Sequence, residues 1–271
     1  MPQKQDWDKE KAMAETLISI VNFKSADKIK KAIDSIVASI PLEISYEIAI
    51  VDNSEDETEA EALRELARKI DVVNLYVADF NMGFGAGNNL AFRKFAEQDT
   101  KYFVIMNPDI VFMNNCIGVL RSFLEKHGEF ACAVPKLFTT DGEILKAYRR
   151  QPTVTDMFLR RFMPHCFKKR AAYHTMQDMD YSKPFKVPFA QGSFLMVRAE
   201  VYEEIGGFDE EFFLYMEDAD LCMRLAEHGG VCYVPTAHAI HEWERGSGKD
   251  FKLFLLHFKS MVQYFRKWSG K

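Results

Sequence analysis

Short apolar runs alternate with amphipathic stretches along the first part of the chain. Runs rich in β-branched residues predict strands, and apolar residues at helical spacing predict helices. The predicted strands cover residues 17–21, 46–51, 72–77 and 101–106, and the predicted helices cover residues 26–39, 59–69 and 89–97. Strands and helices that alternate at these lengths predict a parallel sheet with right-handed crossovers.

The pattern changes in the second part of the chain. Residues 143–187 show no clear strand pattern, and residues 144–170 hold eight Lys or Arg residues against one acid, Asp156. This composition is typical of a solvated loop or a helical insert. Three further elements are predicted, namely a strand at residues 194–197, a helix at 218–228 and an amphipathic helix at 250–268.

Composition and charge favour a globular enzyme over a nucleic-acid-binding protein. The chain has 271 residues, of which 48% are hydrophobic, and its net charge of −5 gives no electrostatic case for nucleic acid. The polar N-terminus predicts no signal peptide, and no apolar run is long enough to span a membrane. The five cysteines are odd in number and lack C-x-x-C spacing, which predicts reduced thiols. We therefore expect a cytoplasmic protein.

Polar residues follow the predicted strands, at the edge where parallel α/β sheets bind ligands. Asp52 comes directly after a buried strand, so it could accept a hydrogen bond from a nucleobase or ribose, or cap the next helix. Asp109, in an Asn-Pro-Asp sequence, could hold Mg²⁺ or Mn²⁺ against a diphosphate, or form an Asx-Pro turn. Both pairs of alternatives stay open at this point.

A glycine-rich loop lies between the third predicted strand and the third predicted helix. Residues 81–89 read NMGFGAGNN, which departs from the G-x-G-x-x-G spacing of a dinucleotide fingerprint. Small residues at alternate positions let a backbone approach a ligand closely. We expect Asn88 or Asn89 to begin the helix that follows.

Three acids cluster near the end of a long motif, GGFDEEFFLYMEDADLCMRL, at residues 206–225. Glu217, Asp218 and Asp220 are costly to bring together unless they share a cation, a proton or a helix N-terminus. Such acids could be catalytic, or they could only charge the first turn of a helix. Downstream, His241 could complete a metal shell, although a single histidine is more often structural.

The order of these motifs resembles glycosyltransferase family 2, and within it the bacterial rhamnosyltransferase-like branch. Over residues 17–247 the chain presents VNF, VDNSEDET, NMGFGAGNN, NPD, the acidic motif and YVPTAHAIH. The resemblance implies an α/β GT-A fold, in which helices flank a Rossmann-like, mostly parallel central sheet. It implies a single domain over residues 1–271, with a nucleotide-sugar half at 15–112, an acceptor-binding half at 113–247 and a terminal amphipathic helix at 248–271.

The resemblance also implies roles for individual residues. Asp218 would be the general base of an inverting transfer, and Asp109 would hold Mg²⁺ or Mn²⁺ with His241 as a second ligand. The residues expected in the donor pocket or beside it are Asn22, Asp52, Asn81, Gly83, Asn88, Asn107, Gln191 and Gly192. The expected reaction moves L-rhamnose from dTDP-L-rhamnose, or a sugar from a UDP or GDP donor, onto a growing polysaccharide or lipid-linked glycan.

Two other functions fit parts of the pattern. A sugar nucleotidyltransferase would need a glycine-rich phosphate loop after the first strand, where this chain reads VNFKS. A non-catalytic binding protein of the same fold would not need the intact acidic motif.

Basic residues beside apolar ones at 146–170 and 250–268 also suggest contact with anionic lipid at the inner membrane face. For residues 250–268 we favour packing on the domain, and for residues 146–170 both interpretations stay open.

Overall fold

The computed structural model describes residues 14–163, 166–242 and 251–269. The strands are β1 (Thr16–Asn22), β2 (Tyr46–Asp52), β3 (Val73–Val77), β4 (Tyr102–Met106), β5 (Ile110–Phe112), β6 (Cys132–Phe138), β7 (Tyr148–Arg149), β8 (Phe185–Val187), β9 (Phe189–Ala190), β10 (Phe194–Arg198) and β11 (Val231–His241). The helices are α1 (Ala26–Ser39), α2 (Glu57–Lys69), α3 (Phe84–Phe95), α4 (Cys116–Lys126), α5 (Val154–Phe162), α6 (Lys168–His174), α7 (Ala199–Glu204), α8 (Glu217–Ala226) and α9 (Phe251–Trp268).

Nine of these strands form one sheet in the order β3-β2-β1-β4-β10-β6-β11-β5, with β8 paired to β11. The first four strands in this order are parallel. Strand β10 runs antiparallel to both of its neighbours, β4 and β6, whereas β11 runs parallel to β6. The sheet is therefore mostly parallel, which confirms the predicted α/β class.

Burial explains why the first strands could be predicted from apolar runs. All residues of β1 and β4 are buried, as expected for strands covered by helices on both faces. Helix α1 covers the sheet with a stripe of fully buried apolar side chains that includes Ile29, Ile33 and Ile36. The predicted boundaries of β1, β2, β3, β4 and α1 agree with the structure to within one residue at each end.

The glycine-rich segment is mostly helix, so the predicted start of α3 at Asn88 or Asn89 is wrong. Helix α3 begins at Phe84, directly after Gly83, whose φ of 90° lies in the left-handed region. A Cβ atom at Gly85 would lie 2.9 Å from Cβ of Phe208, and one at Gly87 would lie 2.9 Å from Val21. These glycines let helix α3 pack closely against Phe208 and Val21, and they do not form an open loop.

The basic stretch also contains more structure than its sequence pattern indicates. Strand β7, paired with β9, and strand β8 lie within residues 143–187, where no strand was predicted. Strands of two or three residues are too short to show a periodicity of two. Helices α5 and α6 also lie in this region, in agreement with the helical-insert alternative.

Helix α9 packs on the domain, as the favoured interpretation predicts. Tyr264 and Ser260 are 3% and 5% exposed, and Trp268 packs against the core. Other apolar side chains of the same helix remain exposed, among them Leu255 and Phe258. None of the helices within the described ranges is long and apolar enough to cross a membrane.

Candidate active site

Four segments of the chain meet at one edge of the sheet. Asn22 and Asp52 are paired residues at the carboxyl ends of the parallel strands β1 and β2. Because β10 runs antiparallel to β4, its amino end lies at the same edge, and the backbone N–H of Asn107 donates to the carbonyl of Ser193 at 2.9 Å. The strand-end motifs of the sequence are thus brought together, as parallel α/β topology predicts.

Asn22 and Asp52 form the centre of a buried polar cluster. The amide nitrogen of Asn22 lies 2.9 Å from Oδ1 of Asp52, 3.0 Å from Oγ of Ser54 and 3.1 Å from Oε2 of Glu59. Oδ2 of Asp52 is buried and has no hydrogen-bond partner within the described residues. An unpaired carboxylate oxygen of this kind is available to a donor group such as a base N–H or a ribose hydroxyl. Asp56, and not Asp52, caps helix α2.

Asn81 and Gly83 shape the loop that precedes α3. The side-chain oxygen of Asn81 accepts a hydrogen bond from the Gly83 N–H at 3.0 Å, and the amide of Asn53 donates to the Gly83 carbonyl at 3.1 Å. A Cβ atom at Gly83 would lie only 2.4 Å from the backbone oxygen of Phe213. The loop therefore contacts the acidic motif directly, and only glycine fits at this position.

Asn88 lies away from any open surface, which argues against the predicted donor contact. It is fully buried in α3, where its side chain accepts from Oγ of Ser19 at 2.7 Å and donates to the Phe84 carbonyl at 2.9 Å. Both polar groups are therefore used within the fold. The neighbouring Asn89, which we did not predict as a site residue, binds the turn at the start of the acidic motif. Its side chain accepts from the N–H of Phe208 and donates to the carbonyl of the same residue.

Asp109 and His241 face each other although 132 positions separate them in the sequence. Oδ1 of Asp109 lies 3.2 Å from Nε2 of His241, and the two side chains are 15% and 10% exposed. Apart from this contact, neither atom has a hydrogen-bond partner in the described part of the chain. Burial raises the pKa of Asp109, but the adjacent His241 outweighs this effect, and the net pKa is lowered. A charged carboxylate and an imidazole nitrogen are thus directed at the same space.

Asp218 lies in the first turn of α8, beside the segment that precedes β10. Its Oδ2 accepts from the Gly192 N–H at 3.2 Å, and its Oδ1 accepts from the Ala219 N–H at 2.9 Å. Burial raises the pKa of Asp218 above its ordinary value, although these two hydrogen bonds act in the opposite direction. A raised pKa and a fixed orientation suit a carboxylate that accepts a proton.

The remaining predicted site residues lie next to Asp218 or Asp109. Gln191 is half-buried and directly precedes Gly192, which is buried. A Cβ atom at Gly192 would lie 3.0 Å from the Phe84 ring and 3.6 Å from Cβ of Asp218. Asn107 is half-buried between β4 and Asp109. Gln191, Gly192 and Asn107 therefore remain predicted contacts of the donor or acceptor.

The other two acids of the motif have different environments. Glu217 is 6% exposed, and burial together with the Asp218 carboxylate raises its pKa well above the ordinary value. Asp220 is fully buried and forms an ion pair with Arg224, in which the closest nitrogen lies 2.9 Å from Oδ2. The three acids thus differ in their partners. No group of three or more His, Cys, Asp or Glu side chains suited to a metal occurs among the described residues.

Comparison with known proteins gives a consistent family assignment. Residues 14–257 match the family described as glycosyltransferase-like family 2. The chain is 29% identical to rhamnosyltransferase WbbL of Escherichia coli over 255 residues, which are 91% of each protein. It is 26% identical over 189 residues to an N-acetylglucosaminyl-diphospho-decaprenol L-rhamnosyltransferase of Mycobacterium tuberculosis. That match covers 66% of this chain and 61% of the mycobacterial protein.

Solved structures show the same fold. The chain matches GalNAc-T7, solved with UDP, GalNAc and Mn²⁺, with a TM-score of 0.71 at 16% identity, over 94% of this chain and 49% of that one. It matches the mannosyltransferase PcManGT of Pyrobaculum calidifontis, solved with GDP-Man and Mn²⁺, with a TM-score of 0.62 at 16% identity, over 94% and 64%. The fold is therefore the predicted GT-A fold. With the family match over residues 14–257, this places the chain in glycosyltransferase family 2.

Proposed function

We propose that this glycosyltransferase moves L-rhamnose from dTDP-L-rhamnose onto an acceptor hydroxyl, with inversion and with Mg²⁺ or Mn²⁺. The observation that carries the proposal is the convergence of Asp52, the Asp109–His241 pair and Asp218 on one edge of the sheet. The names of the two relatives given above support rhamnose as the sugar. A UDP- or GDP-sugar donor is the alternative on the same fold, since the solved neighbours contain UDP and GDP-Man.

The Asp109–His241 pair fits a divalent cation. Two ligands about 2.1 Å from one cation are about 3 Å apart when they occupy neighbouring positions of an octahedron. The separation of 3.2 Å between Oδ1 and Nε2 agrees with this value, and both atoms lack another hydrogen-bond partner within the described ranges. Two protein ligands suffice because such a cation is completed by water and by substrate phosphates. The bound ion would neutralise negative charge on the leaving diphosphate.

Asp218 supplies the base of the proposed reaction. The acceptor hydroxyl loses its proton to the Asp218 carboxylate while its oxygen attacks the anomeric carbon opposite the leaving diphosphate. Because the N–H groups of Gly192 and Ala219 hold the two carboxylate oxygens, the base is oriented before the substrate arrives. The unpaired Oδ2 of Asp52 is assigned to the nucleoside of the donor.

A lipid-linked glycan at a membrane surface is the acceptor class that we favour. The mycobacterial relative is named for a diphospho-decaprenol substrate. Helix α9 exposes Phe254, Leu255 and Phe258 by 36%, 50% and 53%, with the exposed Lys259 beside them. Apolar and basic side chains on one helix suit contact with anionic lipid.

Release of free nucleoside diphosphate from a panel of sugar nucleotides tests the proposed function. The panel contains dTDP-L-rhamnose, a UDP-sugar and a GDP-sugar, each with Mg²⁺, with Mn²⁺ and with a chelator. We expect the largest metal-dependent release with dTDP-L-rhamnose, and the anomeric configuration of the product reports inversion. Release from another donor alone would reassign the sugar. Formation of a sugar nucleotide from a sugar phosphate would instead indicate a nucleotidyltransferase.

A further inference from the structure

The last turn of helix α9 is joined to the acidic motif by an ionic network around the fully buried Asp220. Nζ of Lys267 lies 2.7 Å from Oδ1 of Asp220 and 2.6 Å from Oδ2 of Asp209. The indole N–H of Trp268 donates to the same Oδ1 of Asp220 at 3.0 Å. Arg224 completes the network by donating to Oδ2 of Asp220. The network therefore contains two carboxylates and two cationic side chains. The network is neutral only when α9 is in place.

A strained turn lies between the two parts of the motif that α9 contacts. Tyr215 and Met216 both have φ of 69°, in the left-handed region that side chains other than glycine rarely adopt. This pair of residues directly precedes α8 and so determines where the helix starts and where Asp218 points. Backbone in such a conformation persists only when the surrounding structure holds it.

Helix α9 holds this turn from both sides. Upstream of it, Oγ of the buried Ser260 donates to the Leu214 carbonyl at 2.8 Å. Within it, the ring of Tyr215 lies 4.8 Å from the ring of His257. Downstream of it, Lys267 and Trp268 hold Asp220, two positions after Asp218. The same helix therefore contacts Leu214, directly before the left-handed pair, and Asp220, four positions after it.

We infer that Lys267 and Trp268 are positioning residues for Asp218, and that the active site is complete only when α9 is docked. This inference rests on the proposed role of Asp218 as the base. Neither side chain is assigned a contact with the substrate, because both act through Asp220 and the start of α8. A displacement of a catalytic group by about 1 Å is enough to reduce turnover about 100-fold.

The test compares Lys267→Met with a matched variant on the same turn, Arg266→Met. Arg266 is exposed and has no side-chain partner in the network, so its replacement removes a cation without changing the contacts of Asp220. We expect Lys267→Met to lower kcat about 10- to 100-fold while the donor KM changes by less than about threefold. Lys267→Arg, which keeps the cation, is expected to recover most of the loss, and Arg266→Met to match the wild type.

Hydrogen exchange at the backbone amides of residues 217–220 gives a second readout that does not need turnover. Faster exchange in Lys267→Met than in Arg266→Met is expected, because the start of α8 loses its support. Unchanged exchange, or equal kcat in the two variants of an active enzyme, would overturn the inference about α9 and leave the proposed function unaffected. A loss of melting temperature and donor binding together with kcat would also overturn it, since Lys267 would then only stabilise the fold. Absence of transfer by the wild type contradicts the proposed function, and the exchange measurement still decides the role of α9.

Discussion

The backbone N–H of Gly192 lies 3.2 Å from Oδ2 of Asp218, and this contact joins the segment before β10 to the first turn of α8. It orients the carboxylate that we propose as the base. Asp218→Asn keeps the shape of the side chain but removes its capacity to accept the proton. We expect kcat to fall about 10²- to 10⁴-fold while calorimetric binding of the donor is retained. Retention of more than about a tenth of the wild-type rate would show that Asp218 only charges the helix terminus.

Replacing the two proposed metal ligands is expected to reduce metal-dependent nucleotide binding by unequal amounts. Asp109→Ala removes the only charged ligand, so the Mn²⁺-dependent gain in nucleoside diphosphate affinity is expected to fall at least about 10-fold. His241→Ala is expected to cause a smaller loss. Calorimetric titration with and without Mn²⁺ measures both effects, and the exposed His127→Ala serves as the control. An unchanged metal dependence in Asp109→Ala would remove this residue from the site.

Gly83 is expected to tolerate no side chain. Its φ of 90° and the backbone oxygen of Phe213, 2.4 Å from a Cβ at this position, both oppose Gly83→Ala. A cost of about 1 kcal/mol or more lowers the melting temperature of a protein of this size by at least about 2–4 °C. Gly128 has no heavy atom within 4 Å of the same position, so Gly128→Ala is the matched control. Equal melting temperatures for the two variants would contradict the structural role of Gly83.

Because Glu217 is buried, we expect the difference in stability between Glu217→Gln and the wild type to depend on pH. Its pKa is raised in the folded state, so the folded protein binds this proton more tightly than the unfolded chain does. Stability from this group is therefore present at pH values below the unfolded pKa of about 4.3 and is lost as pH rises through the folded pKa. Glu217→Gln has no proton to lose.

We accordingly expect the melting temperature of Glu217→Gln, relative to the wild type, to increase from pH 4 toward pH 8. Thermal unfolding across this range measures the difference. The exposed Glu200→Gln on α7 provides the matched control substitution. A difference between Glu217→Gln and the wild type that is the same at every pH would contradict the raised pKa.

Membrane contact predicts sedimentation with anionic vesicles. Phe258→Ser removes an exposed apolar side chain from α9, whereas Leu42→Ser removes one that is fully exposed elsewhere on the protein. We expect the wild type and Leu42→Ser to sediment with phosphatidylglycerol vesicles at low salt, and Phe258→Ser to sediment less. Binding should weaken at high salt because the charges are screened. Absence of binding at low salt would leave α9 with a role in packing alone.

The comparison of sequence and structure shows which features are local. Strands β1 and β4 were predictable because burial on both faces requires continuous apolar runs. The start of α3 was missed because glycines that permit close helix packing look like loop residues in a sequence. Asn88 was placed in the donor pocket by the resemblance to a family, and its bond to Ser19 became visible only with β1 in place.

Contacts between distant segments could not be predicted. Lys267 follows Asp220 by 47 positions, and no local pattern relates a lysine in a terminal helix to an aspartate in another helix. The pairing of Asp109 with His241 was proposed only from the resemblance to a family. Sequence periodicity reports which face of an element is buried but not which element covers it.

The antiparallel strand β10 separates two continuous portions of the chain within one sheet. Strands β3, β2, β1 and β4 come from residues 16–106, whereas all strands on the other side of β4 come from residues after 109. Within the sheet, the pairing of β4 with β10 joins the two portions. Outside the sheet they also touch where Asn89 binds Phe208 and Gly83 lies against Phe213. Recombination at residues 107–109 would therefore exchange the later portion as one block. It would break one strand pairing of the sheet, together with the contacts that Gly83 and Asn89 make with that portion.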